Sequence, residues 1–200
     1  MEPLSFAIIC SRNAMDVRIR TVLPNEATLI FSFLTLAARM QESGEPIQKA
    51  LRDHELTRNW QNWGRPGDLG LVAESDSAGY PVSCAWVRLF SREEAGADYV
   101  GENIPELAIG TIPAARGLGV GTRVLQALLD LCRARYSGVS LSVRLDNPAI
   151  RLYERLRFRR TSASPIINRV GTESIVMLLS FDQSDRGLGA NHPLAIDSLD

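Results

Sequence analysis

The chain has 200 residues, 45% of them hydrophobic, which suits one domain with a sizeable core. A net charge of −1 gives no bulk field toward nucleic acid or a membrane surface. Three scattered cysteines (Cys10, Cys84, Cys132) and two histidines (His54, His192) lack the spacing of a disulfide framework or a metal site.

In chain order, residues 1–15 read as an N-terminal extension with a strand at Ser5–Ile9. The apolar run Phe6–Cys10 is too short for a signal peptide, and a cytoplasmic location is the default expectation. Val17–Thr21 alternates as a first strand. Pro24–Gln41 carries apolar residues at helical spacing behind a Pro; its run Leu29–Ala38 is half a membrane span and holds Ser32 and Thr35. Gly44-Glu45-Pro46 breaks that helix, and a more polar one is predicted from Pro46 to Arg58. Trp60–Gly67 reads as a loop by its Gly and Pro content.

Strands follow at Leu69–Glu74, Val82–Phe90 and Glu106–Ile112, the first two joined across Ser75–Tyr80. Helix Thr122–Arg135 puts Val124, Leu125, Leu128, Leu131 and Cys132 on one face. Val139, Leu141, Val143 and Leu145 alternate as a strand. A short helix runs from Pro148 to Leu156. Phe158–Thr161 and Ser174–Leu179 read as closing strands around a loop at Ser164–Gly171. From Asp182 the sequence loses periodicity and reads as a loose tail. The order β-α-α-β-β-β-α-β-α-β-β predicts an α/β (α+β) fold: a mixed sheet with helices on both faces.

Residues 106–121 carry the strongest chemical signal. An apolar strand enters a loop with Arg116, Gly117, Leu118, Gly119, Val120 and Gly121, and Thr122 then opens an amphipathic helix. A helix N-terminus offers free N–H groups and a favourable dipole for an anion. Glycines let the backbone approach a phosphate without a Cβ in the way. A Gly-x-Gly-x-x-Gly dinucleotide loop would need Gly where Thr122 stands, and a P-loop needs a lysine that is absent here. Residues 116–169 hold eleven Arg and only three acids, which fits an anionic ligand or a solvated Arg-rich surface equally well.

The chain resembles the GNAT superfamily of N-acetyltransferases at this loop, where Arg116, Gly119 and Gly121 fit Arg/Gln-x-x-Gly-x-Gly/Ala behind Pro113. A second block, Asp146-Asn147-Pro148-Ala149-Ile150-Arg151-Leu152-Tyr153-Glu154-Arg155-Leu156-Arg157-Phe158, is similar to that family's Asn-Pro-Ala…Leu-Tyr-Glu-x-x-Gly-Phe. It departs from it at Arg157, where the Gly that turns helix into strand is usual. The resemblance is clear over residues 101–160 and implies a GNAT domain over 16–181, with a mixed, mostly antiparallel sheet.

It also implies acetyl-CoA as cosubstrate and a small-molecule or peptide amine as acceptor; homodimers are common among relatives. No nucleic-acid or membrane partner is expected. The backbone of Ile109 and Thr111 would bind the pantetheine arm, beside a neighbouring strand Val139–Val143 that splays away. The N–H groups of 116–122 would bind the pyrophosphate. Asn147 suits a cofactor amide or carbonyl and, before Pro148, also suits a helix cap. Tyr153 is the implied acid for the leaving thiolate, against a plain packing role. Glu106 is the candidate base for an amine that is mostly ammonium near neutrality, with Glu102 as alternative and a solvated strand-end charge as the simpler reading. Trp60, Trp63 and Trp86 either line an acceptor pocket or pack, and Arg144, Arg151 and Arg155 either reach phosphates or stay solvated. The first helices and the loops 60–67 and 164–171 are expected to shape the acceptor pocket. A non-catalytic acyl-CoA-binding module is the rival class, and an unrelated nucleotide-binding protein a third.

Overall fold

Alternating apolar residues build the central strands, and a computed structural model describes residues 15–181. The expected strand at Ser5–Ile9 and the tail from Asp182 lie outside the described residues. The elements run β1 (Val17–Thr21), α1 (Ala27–Ala37), a 3-10 turn (Ile47–Leu51), α2 (His54–Thr57), β2 (Leu69–Ser75), β3 (Pro81–Arg88) and β4 (Glu106–Thr111). They continue with α3 (Val120–Arg133), β5 (Gly138–Arg144), α4 (Ile150–Arg155), β6 (Arg159–Arg160), β7 (Ile166–Ile167) and β8 (Glu173–Ser180).

One sheet orders these strands β1-β2-β3-β4-β5-β8-β6, with β7 also paired to β8. The pairings are antiparallel except β4 with β5, which is parallel. The sheet is therefore mixed, as the order of elements predicts, and mostly antiparallel, as the resemblance implies. Period-2 alternation lets it bury both faces. On β3, Ala85 and Val87 join a core with Val124, Leu125 and Leu128 of α3. Cys84 and Trp86 face the other way, onto Ile30, Phe33 and Leu34 of α1. Burying a Leu such as Leu128 stabilises by roughly 1.5–3 kcal/mol.

Two expected helices are shorter than their patterns. The segment 24–41 is helical only over α1. Arg39 takes φ +53, and its N–H reaches the Leu36 carbonyl at 3.1 Å while that of Met40 reaches Thr35 at 3.1 Å. This pair of bonds is a Schellman cap with an arginine at its left-handed position. The segment 46–58 divides because Asp53 takes extended backbone and its carboxylate accepts the Glu55 N–H at 3.0 Å, capping α2 afresh. The loop expected at Ser164–Gly171 contains β7, which folds back on β8.

Candidate active site

Glu106 and Ser140 are the single registered pair between β4 and β5. The Ser140 N–H donates to the Pro105 carbonyl at 3.0 Å. Beyond that point β4 continues to Thr111 and β5 to Arg144 with no further registered pair. On the far side of β4, the Ile112 N–H donates to Val82 at 3.0 Å. Strand alternation then turns the N–H groups of Ile109 and Thr111 toward the gap. A cleft of about 710 Å³ opens there, lined by Glu106, Ile109 and Thr111 on one side and Leu141, Val143 and Asn147 on the other. The Thr111 hydroxyl itself bonds Ser83 Oγ at 2.8 Å.

The chain after β4 brings a helix start to this cleft. Gly117 and Gly119 take φ +76 and +78, conformations open to glycine at little cost. Gly119 is the N-cap of α3. The first helical bond runs from the Arg123 N–H to the Gly119 carbonyl at 3.1 Å, so the N–H groups of Val120, Gly121 and Thr122 precede it without an intrahelical acceptor. A Cβ added at Gly117 or Gly119 would meet nothing within 4 Å, whereas one at Gly121 would stand 3.1 Å from Thr111 Oγ1. The first two glycines therefore serve the turn, and the third lets α3 lie against β4.

Arg116, Gly117, Gly119, Gly121 and Thr122 line the cleft; Leu118 and Val120 do not. Leu118, partly buried ahead of α3, packs against the core, and Val120 is fully buried because it begins the apolar face of α3. Only their main chain remains for a ligand. Arg116 bonds Glu42 at 2.7 Å and the Thr111 carbonyl at 3.2 Å, tying the loop to the turn that follows α1.

Asn147 stands ahead of α4, whose N-cap is Ala149 rather than Asn147. Its Oδ1 accepts the Ala149 N–H at 2.9 Å, which turns the chain into α4, and the residue lines the cleft. Its side-chain NH₂ donates to no partner among the described residues.

Tyr153 is buried and lines the same cleft, yet its hydroxyl makes no hydrogen bond among the described residues. Burial pushes this phenol up to about 12. The ring is held by the end of α4. Arg157 takes φ +70, its N–H bonds the Glu154 carbonyl at 3.0 Å, and the Phe158 N–H bonds the Tyr153 carbonyl at 3.0 Å. The turn normally given to glycine is thus made by an arginine.

Glu106 is buried rather than solvated at its strand end. Its Oε2 is paired with Arg58 Nη2, while Oε1 is buried without a hydrogen-bond partner. Burial pushes the carboxyl up to about 7, with Asp98 adding to the rise and Arg58 opposing it. Arg58 and Asp98, both lining the cleft, are the neighbours of Glu106 that sequence reading missed. They stand 48 residues before and eight residues before Glu106, in segments without a motif, so no local signal marks them.

None of the three tryptophans lines the cleft. Trp86 is fully buried, Trp63 donates to the Leu23 carbonyl at 3.1 Å, and Trp60 packs edge-on to Phe31 at 5.1 Å. They are core and anchoring residues. The loop 60–67 is likewise absent from the cleft wall, as are Glu102 and Arg151, whereas 166–170, Arg144 and Arg155 are present. Buried Cys84 and Cys132 both have thiols pushed up by burial, Cys132 to about 12, and are inert packing groups. Among the described residues no helix is long and apolar enough to cross a membrane.

Residues 35–158 match the model of the Acetyltransferase (GNAT) family. The sequence has no match among curated proteins. In structure the chain is similar to the GNAT domain of PAT from S. lividans, with a TM-score of 0.59 and 15% identity over 82% of this chain and 90% of that one. It is similar to yncA from Salmonella typhimurium, solved with its cofactor acetyl-CoA, with a TM-score of 0.57 and 20% identity over 86% and 96%. Ard1 from Thermoplasma volcanium gives a TM-score of 0.56 and 20% identity over 84% and 99%. At these identities the likeness is one of fold.

Proposed function

The chain belongs to the GNAT acetyltransferase family, and on that premise we propose that it moves an acetyl group from acetyl-CoA to an amine by direct attack. The observation that carries this reading is the convergence on one cleft of a helix N-terminus, an open strand edge, a buried carboxylate and an unbonded phenol. The parts fit the cosubstrate in kind. Val120, Gly121 and Thr122 present N–H groups at a dipole's positive end, as a pyrophosphate requires. The N–H groups of Ile109 and Thr111 match an extended arm that carries amides. Asn147 still has its side-chain NH₂ to donate.

Bound in the cleft, acetyl-CoA supplies an activated acetyl thioester. Glu106 takes a proton from the ammonium form of the acceptor, directly or through water, so that the amine can attack. A carboxylate that titrates at about 7 suits this task at neutral pH. An N–H of the Ile109–Thr111 edge stabilises negative charge on the acyl oxygen. Tyr153 gives its hydroxyl proton to the departing sulfur. The high value of this phenol keeps it protonated until it is needed.

Calorimetric titration with acetyl-CoA, beside a nucleotide control, tests the cosubstrate. Release of free thiol in the presence of an aliphatic diamine, an aromatic amine and a peptide with a free N-terminus tests the transfer. Selective binding with amine-dependent release is the expected result. Nucleotide outcompeting acetyl-CoA would overturn the assignment, and binding without release for any amine would move the chain to the class of acyl-CoA-binding modules.

A further inference from the structure

Arg58 is held more tightly than a solvated C-terminal helix cation would be. Its side chain is only 10% exposed. Its Nη1 donates to the Glu94 carbonyl at 2.8 Å, and its Nη2 reaches Asp98 Oδ1 at 3.3 Å as well as Glu106 Oε2. Its guanidinium carbon lies 4.1 Å from the centre of the Phe90 ring. The chain bends around it at Gly96, where an added Cβ would stand 3.0 Å from Nη2.

The backbone of Arg58 is fixed as well. Its carbonyl accepts from Arg88 Nη1 at 2.8 Å. Arg88 is bonded to Asp68 at 2.9 and 2.6 Å, and both side chains are essentially unexposed. This buried ion pair anchors the segment 58–62 to β3, through carbonyls 58, 61 and 62. A planar guanidinium fixed at both ends gives its partner one defined place.

We propose that Arg58 is the positioning residue of Glu106, holding Oε2 so that the carboxylate keeps one defined place at the cleft while Oε1 stays free of any cation. The inference rests on the reading of Glu106 as proton acceptor. A carboxylate with both oxygens bonded to cations would accept protons poorly, and one buried with none would stay neutral at neutral pH. Arg58 sets the intermediate state. The charged groups facing Glu106 are Arg58 from the end of α2, Asp98 from the β3–β4 connection, and Arg88, its register partner on β3, whose charge is engaged by Asp68. Ser140 faces it from β5 and carries no charge.

The test is a pH titration of the Glu106 carboxyl carbon by ¹³C NMR in the full chain without ligand, with E106Q to assign the signal. The wild-type midpoint is expected at about 7. Arg58→Gln should raise it by ~1 pH unit or more, and Arg58→Lys by less. Asp98→Asn keeps Arg58 and removes an acid, so it should lower the midpoint; it serves if Arg58→Gln fails to fold. The ascending limb of kcat/KM for amine-dependent thiol release should move with the midpoint in each variant, and the high-pH plateau should fall in Arg58→Gln, where the carboxylate loses its hold, and be kept in Asp98→Asn. A midpoint unmoved by both Arg58→Gln and Arg58→Lys, or a lowered plateau with an unmoved limb, overturns the proposal. Wild-type protein that does not bind acetyl-CoA, or E106Q with full activity, would instead sink the functional reading, and the titration would still show whether Arg58 governs Glu106.

Discussion

Tyr153 and Phe158 meet edge to face with ring centres 5.9 Å apart because the cap of α4 puts them there. In a Schellman cap the residue two beyond the cap folds back on the third from the helix end, and here those residues are Phe158 and Tyr153. The cap therefore orients the phenol that lines the cleft. Phe158 is fully exposed to no solvent at all, so the contact is fixed by the core behind it. The hydroxyl, by contrast, has no protein partner among the described residues.

Tyr153→Phe should thus separate function from stability. Packing is retained and no hydrogen bond is lost, so the melting temperature should change by no more than ~2 °C. Acetyl-CoA affinity should be unchanged in calorimetry. Turnover should fall by ~10²-fold or more, the usual weight of a positioned acid. Unchanged turnover would reject the acid role.

Arg157 at φ +70 carries a steric cost that glycine does not. Its side chain is exposed, so replacement removes no packing. Arg157→Gly should keep the cap bonds and stabilise the fold by ~1 kcal/mol, or ~2–4 °C in melting temperature for a domain of this size. Thermal unfolding checks this; a lower melting temperature would mean that the arginine makes a contribution larger than its strain.

What the sequence displayed and what it hid follow the range of the forces involved. Strand alternation, the α3 stripe and the glycine loop are local, so β1 to β5 and the helix start were legible to within a few residues. The two Schellman caps were less so, because arginine at Arg39 and Arg157 gives no sign of a left-handed residue. The break at Asp53 was missed because its carboxylate competes for the backbone within an otherwise helical pattern. At the site, the residues on the two motifs lay on or behind the cleft, while Arg58 and Asp98 reach Glu106 only through tertiary contact. The tryptophans misled in the opposite way: residue type allowed a pocket, and core packing claimed all three.

Glu106 supplies a pH prediction with a definite sign. Its carboxyl rises from an ordinary value of 4.5 to about 7 on folding. Between those values the folded chain holds the proton more firmly than the unfolded chain, so the group's contribution is full at low pH and is lost as pH rises through 7. Glu106→Gln should flatten this part of the stability profile, read as the difference between variant and wild type in denaturant unfolding at pH 5 and pH 8 (~ values spanning the window). The activity slope runs the other way, because the ionised form takes the proton. Wild-type kcat/KM should climb with pH to a plateau above about 7, and Glu106→Gln should lose that limb together with ~10²-fold of rate. A retained limb would assign the proton to another group.

Gly119→Asp tests the anion site with the fold held constant. Gly119 caps α3 at φ +78, and its Cβ position is open. Aspartate tolerates the left-handed region better than most residues, and a carboxylate at a helix N-terminus interacts favourably with the dipole. These effects oppose the strain, so the melting temperature should stay within a few degrees of wild type. The same carboxylate, however, places a fixed negative charge beside the N–H groups of Val120, Gly121 and Thr122. A pyrophosphate would then lose donors and face repulsion together. The dissociation constant for acetyl-CoA should rise by ~10²-fold or more, whereas Gly119→Ala, which adds strain without charge, should raise it far less. Calorimetry on the two variants separates charge from shape. Equal losses would assign the effect to backbone strain, and retained affinity in Gly119→Asp would remove the pyrophosphate from the start of α3.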